Sequence, residues 1–278
     1  MGRHTNEGED AFPRAPTQEE WEAMGPEERA RVVESLPGEV TWDEMAMPEG
    51  DRHFQAKVRT LDVLRGYFRH QRRKVYLGAE LPVYYPGERR FAPDLLAVLE
   101  VEQHARDKWV VSHEGRGLDW VMEVHVGGDR KKDAEYNVER YARVGIPEYF
   151  IYDRSRQRLE VYRLPEPGAK QYERVDAKQG RYTSEVLGLE FEVVGEELQL
   201  WAGNALLLES AELVVRLQEK LEAVQRRADE EARRLAEETQ RREEEARRRE
   251  EEARRREEVE RRLAQLQAEL DRLQHRGK

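Results

Sequence analysis

Residues 118–126 read LDWVMEVHV, and this stretch decides the fold. Successive side chains alternate across an extended chain, so Trp120, Met122, Val124 and Val126 share one side. Asp119, Val121, Glu123 and His125 share the other. One side suits a core; the other sets three polar groups into a segment otherwise made for burial. Gly115 and Gly117 mark a turn before it, and Gly127-Gly128-Asp129 supply a turn and a helix N-cap after it. The helix runs to about Val144 and is closed by Gly145, with Pro147 just beyond. Tyr149–Tyr152 is a short strand ending in Asp153. Strand, helix and strand in this order predict a mixed α/β sheet.

Upstream, Thr17-Gln-Glu-Glu20 forms a capping-box pattern that opens a short helix, and Pro26 starts a second one that ends near Leu36. Phe54, Val58, Leu61, Leu64 and Phe68 recur at helical spacing, which predicts an amphipathic helix from about His53 to Arg72. Val75–Glu80, Leu81–Tyr85, the LLAVLEV run after Pro93-Asp94, and Trp109–Ser112 read as extended. Downstream, Leu159–Leu164, Tyr172–Val175, Leu189–Val194 and Leu198–Trp201 add strands joined by turns. The expected domains are a disordered segment over residues 1–16, an α/β domain over 17–205 and a charged helix over 206–278.

Composition bounds what such a chain does. Charged residues make up 39% of it, well above the roughly 25% of ordinary globular domains. The excess lies in residues 206–278, where 19 basic and 20 acidic side chains nearly cancel. The remainder holds 30 basic and 39 acidic groups. A nonspecific coat on nucleic acid calls for a basic surface, so contact with nucleic acid is expected to be local. There is no cysteine, which excludes disulfides, thiolate nucleophiles and cysteine-based zinc sites. No apolar run approaches the 18 or so residues that span a membrane, and MGRHTNEGEDAF lacks the apolar core of a signal peptide. The expected location is the cytoplasm.

Asp94, at a strand start, and Glu123, within another strand, can meet at one edge of a sheet. Two such carboxylates, with a backbone carbonyl and waters, suit Mg²⁺, which binds few protein oxygens and keeps much of its water. His125 projects from the same side as Glu123 and has an unperturbed pKa near neutrality, which suits a general base. Plainer roles exist for the same residues. Asp94 could cap a turn, Glu123 could pair with an arginine, and His125 could be packed.

PDLLAV, LDWVMEVHV, DRKKDAEYNVERYARVGIPEYFIYD and LEVYRL together resemble the bacterial Uma-type restriction endonuclease family, which has the PD-(D/E)XK nuclease fold. The matching elements are Pro93-Asp94, Glu123-Val124, Tyr141-Ala142 and Gly145-Ile-Pro-Glu-Tyr149-Phe, within a span of about 37–201. The resemblance implies a restriction-endonuclease-like mixed sheet with flanking helices. It implies a Mg²⁺-dependent (or Mn²⁺-dependent) endonuclease acting on DNA, with Asp94, Glu123 and the Val124 carbonyl as metal ligands. It also implies a catalytic lysine, and here the chain departs from the pattern. His125 occupies the E-x-K position, and the alternative position on the following helix is Asn137. Lys132, Lys131 and Arg130 near the start of that helix are substitutes. Asp133 and Asn137 share a helix face, His53 matches a family histidine, and Glu148 and Tyr149 read as fold residues. A nuclease-fold binding module without turnover, and a coiled-coil interaction protein, are the alternatives.

In the tail, Val214, Leu217, Leu221, Val224 and Ala228 follow coiled-coil spacing, as do Val259, Leu263, Leu266, Leu270 and Leu273. Between them EEEARRR at 243–249 repeats at 250–256. Each glutamate there has an arginine four residues on, in the favourable order. The tail is expected to be a helix on the order of 100 Å long that makes a parallel homodimer.

Overall fold

The computed structural model describes residues 13–39, 50–126 and 131–276, with side chains throughout except at 131–134 and 269–276. The Gly127-Gly128-Asp129 turn and Arg130 therefore lie outside the described residues, as do the side chains of Lys131, Lys132 and Asp133. The chain divides into two units, Met1–Glu212 and Leu213–Lys278.

Thr17 caps the first helix, α1 (Gln18–Ala23), through both bonds of the capping box. Gly25-Pro26 then breaks the chain into α2 (Pro26–Ser35). Arg14 and Ala15, placed by sequence in a disordered start, bridge to Arg89 and Pro86, and Ala15 is buried. The long helix α3 (Asp51–Gln71) ends at Arg72, which takes the left-handed conformation at φ 55°.

The strands follow as β1 (Val75–Gly78), β2 (Val83–Tyr84), β3 (Leu95–Leu99) and β4 (Trp109–Val110), then one helical turn, α4 (Val111–Glu114). Next come β5 (Trp120–His125), α5 (Lys131–Val144), β6 (Glu148–Asp153), β7 (Arg158–Arg163) and β8 (Glu173–Val175). The unit closes with β9 (Arg181–Ser184), β10 (Leu189–Val194), β11 (Glu197–Ala202) and β12 (Ala205–Leu206), and α6 (Ser210–Arg276) runs out from it.

The main sheet has the order β1-β3-β5-β6-β7-β8. The β5–β6 pair is parallel, as a helical crossover requires, and every other pair is antiparallel. Gly145 ends α5 as expected: its N–H bonds to the Ala142 carbonyl and that of Ile146 to the Tyr141 carbonyl, a Schellman stop. A second sheet, β12-β11-β10-β9, is wholly antiparallel.

β5 runs through the middle of the sheet. Trp120, Met122 and Val124 join the core layer that α3 covers through Leu61, Leu64 and Phe68. Val121 joins the opposite layer, with Tyr141, Ile146 and Tyr149. Each fully buried large apolar side chain of this kind contributes about 1.5–3 kcal/mol. The polar groups in and beside β5 survive because each finds a hydrogen-bond partner. Asp119 accepts a 2.7 Å bond from the Leu99 N–H and so locks the β3–β5 edge.

The inward face of α3 differs from the one predicted. Phe54 and Val58 are exposed, at 64% and 46%, whereas His53 and Lys57 are buried, at 8% and 6%. Apolar periodicity misplaces the face because it counts only hydrophobic residues. Here a buried histidine and lysine hold the inward positions, each satisfied by a carboxylate.

Candidate active site

Asp94 directly precedes β3, where the two core layers meet and both α3 and α5 can reach it. Its Oδ2 accepts a 2.8 Å bond from the Val124 N–H and lies 3.1 Å from His53 Nε2. Lys57 Nζ lies 3.4 Å from the other oxygen, Oδ1. Glu123 reaches the same place from β5: its Oε2 accepts a 3.2 Å bond from the Asp94 N–H. On the far side, the Tyr141 hydroxyl of α5 donates a 2.8 Å bond to Glu123 Oε1. The two acids anticipated from sequence therefore meet, and each is oriented from a different layer of the fold.

Lys57 is the cation that sequence reading did not find. It stands one helical turn after His53, so both project from one face of α3. Besides Asp94 it pairs with Glu80, in the turn after β1. Glu80 takes a left-handed φ of 51°, which costs a non-glycine residue about 1–2 kcal/mol. Its N–H bonds to the carbonyls of Pro93 and Asp94 at 3.0 and 3.3 Å, so the strained turn grips the segment that carries the acid. The signal in the sequence was the His53–Lys57 spacing, invisible to a search for apolar periodicity.

The electrostatics of the two acids diverge. Burial acts to raise the Asp94 carboxyl, but His53, the Val124 N–H and Lys57 outweigh it and hold the group below its ordinary value. Burial and the neighbouring Asp94 charge push Glu123 up to about 8, against the Tyr141 bond. Two carboxylates in contact with different proton affinities are a pair that a divalent cation relieves. The acids also suit one: carboxylate oxygens match a small hard cation that keeps several waters. Among the described residues no group of three or more His, Asp or Glu side chains is arranged to hold a metal, so water must complete any coordination shell here. The Tyr149 hydroxyl is buried close to both acids and has no hydrogen-bond partner among the described residues.

The other anticipated residues divide. His125 ends β5 on the same side of the strand as Glu123, and its carbonyl accepts a 2.8 Å bond from the Arg154 N–H. Asn137 is half-buried on α5, one turn before Tyr141 and on the same helix face. Lys132 lies in the first turn of α5, with its side chain outside the described residues. Glu148 is a fold residue: it is buried, ion-paired with Arg163 at 2.8 Å, and accepts from the Glu185 N–H and the Ser184 hydroxyl. It thereby ties the second sheet to the first. A cleft of about 300 Å³ lies away from the acids, lined by Phe54, Val58, Arg59, Tyr152 and Leu198.

Residues 18–199 match the Uma2 family, described as "Putative restriction endonuclease". No curated protein matches the chain. Among solved structures, a "putative nuclease belonging to DUF820" from Anabaena variabilis aligns over 51% of this chain and 76% of its own. Its sequence identity is 18% and its TM-score 0.40. The family match takes in α1 through the first half of β11, with the Pro93-Asp94 and Glu123-Val124 elements and the lysine and histidine that approach them, and on it the chain belongs to the Uma2 family of restriction-endonuclease-like proteins.

Proposed function

We propose that this chain is a divalent-metal-dependent endonuclease that hydrolyses DNA phosphodiester bonds in the cytoplasm. One observation carries the reading: a pair of acids in contact, Asp94 and Glu123, with a buried ammonium, Lys57, within reach of the first. Asp94, Glu123 and the Val124 carbonyl hold Mg²⁺, or Mn²⁺ in its place. What a divalent ion supplies there is neutralisation of the phosphate charge and orientation of the attacking water.

The remaining work falls to the chain. The Val124 N–H and His53 fix Asp94, and Tyr141 fixes Glu123, so the two acids need no rearrangement to present oxygens together. Lys57 takes the part of the lysine missing at His125 and Asn137: its charge faces the negative charge that builds on the phosphoryl group. His125 is the general base that takes a proton from water. Asn137 and Lys132, on α5, line the approach. The protein works as a homodimer paired through α6.

The test is cleavage of labelled duplex DNA with Mg²⁺ or Mn²⁺, with chelator as control. Wild type should cut, and Asp94→Ala and Glu123→Ala should each lose at least 100-fold. Cleavage that survives both substitutions overturns the site. A folded wild type that cuts in neither ion overturns the enzyme and leaves a binding module.

A further inference from the structure

The register of α6 points to the orientation of its partner. Leu221, Ala228 and Leu263 recur at one heptad position, a, and Val224, Val259 and Leu266 at another, d. Five whole heptads separate Ala228 from Leu263, and five separate Val224 from Val259. The two apolar blocks therefore share one phase across the charged centre. All the apolar positions of α6 from Val214 to Leu266 that were expected to pair are exposed, Leu221 at 58% and Leu263 at 54%. Two exposed apolar blocks in one heptad phase suit a coiled-coil partner.

The centre of the seam decides the arrangement. Three of its four a positions are arginines (Arg242, Arg249, Arg256; the fourth is Leu235), and its four d positions are glutamates (Glu231, Glu238, Glu245, Glu252). In a parallel pair in register, a meets a and d meets d. At every central layer except Leu235, arginine would then face arginine or glutamate would face glutamate. In an antiparallel pair, a meets d of the other chain, and every layer that holds an arginine can be an opposite-charge pair.

We infer that α6 pairs antiparallel with α6 of a second copy, about a twofold axis between Glu243 and Glu244. This rests on the pairing proposed above and reverses the parallel orientation expected from spacing alone. The alignment sets Leu221 against Leu266, Val224 against Leu263 and Ala228 against Val259. It sets Glu231 against Arg256, Glu238 against Arg249 and Arg242 against Glu245. In sequence, Leu217 and Val214 then meet positions 270 and 273, both leucine. Sliding one helix by a heptad in either direction breaks the match, placing Val224 on Arg256 or Glu231 on Leu263.

Two terms oppose the arrangement, and both are small. Leu235 meets Glu252, a mismatched layer that the twofold axis repeats on its other side. Arg241 meets Arg248 across the rim, with equivalent arginine pairs beside it. These groups stand at the solvent edge, and each has a glutamate four residues earlier in its own helix, Glu237 and Glu244. Like charges inside the seam cost more than like charges on its rim, because the rim is hydrated and screened. The paired span, residues 214–273, is about 90 Å long. The N-terminal ends of the two paired helices thus lie at opposite ends of it.

The chain has no cysteine, so thiols can be placed at will in the full-length protein. Ala228→Cys alone and Val259→Cys alone should form no disulfide dimer on mild oxidation. An equimolar mixture of the two, unfolded and refolded together, should form one, at twice the 32.8 kDa of the chain. A dimer locked by Ala228→Cys alone shows a parallel pair and overturns the orientation while leaving the pairing intact. Variants that sediment as dimers yet cross-link in no combination overturn the register. A wild type that sediments as a monomer overturns the orientation and the pairing together.

Discussion

Lys57→Met separates the two things that Lys57 does. The side chain is 6% exposed, and its ammonium touches Asp94 Oδ1 at 3.4 Å and the Glu80 carboxylate. The Glu80 side chain is 58% exposed, so that pair contributes little. Asp94 keeps its two shorter bonds, from the Val124 N–H and His53, when the lysine is gone. Methionine fills the channel and removes the cost of burying a charge, which offsets much of the lost attraction. The net change in stability should therefore stay below about 2 kcal/mol. Turnover should suffer far more, by about 10²–10³-fold, the usual effect of deleting one charge stabiliser from a water-poor site. Metal affinity should move in the opposite direction and rise severalfold, because a positive charge beside Asp94 repels the incoming cation. The assays are single-turnover cleavage at saturating metal, calorimetric metal titration and a thermal melt. A variant that melts normally, binds metal normally and cuts within about threefold of wild type refutes the role given to Lys57; the threefold margin is well inside the effect expected.

Glu123, raised to about 8, makes the metal-free protein lose stability as pH rises. The unfolded carboxyl ionises near its ordinary value while the folded one keeps its proton, so the contribution is full in acid and gone above about 8. Metal binding must expel that proton, so affinity should climb through the same window, and Glu123→Gln should abolish the climb. Glu148→Ala leaves Arg163 without its buried partner and should cost about 3–5 kcal/mol in a denaturant titration, with no change in metal affinity. Truncation after Glu212 should leave a cooperatively folding monomer, since it keeps Glu209, which pairs with Arg59, and Ser210, whose backbone and hydroxyl bond Asp62. A cut at residue 205 instead removes those contacts and half of β12, and should lower the melting temperature.

Much of this was legible in the sequence. The two-residue period of LDWVMEVHV gives β5, its two faces and the position of Glu123, because a central strand carries its pattern whatever packs on it. The turn at Gly145 and the strand at Glu148–Asp153 followed for the same reason: local backbone requirements leave local marks. β9 was missed, since RYTS is too polar to alternate visibly, and β12 is only two residues long. Trp109–Ser112 was half right, because the chain turns into α4 at Val111 and ends it at Gly115, φ 71°. The site was less legible than the fold. Asp94, just before one apolar strand, and Glu123, within another, stand out, but Lys57 looks like one more charge on a charged helix. Only a partner some 37 residues away makes it a buried ion, and contacts of that range leave no period to read. In α6 the phase of the apolar positions was readable throughout, because a helix keeps its period whatever its charge.

Calorimetric titration of Mn²⁺ into the full chain, with wild type, Asp94→Asn and Glu123→Gln side by side, tests the metal site without requiring turnover. Wild type should bind saturably and each variant at least about tenfold more weakly, beyond the change that altered net charge alone gives to surface sites. Equal affinity in all three proteins would contradict the metal site.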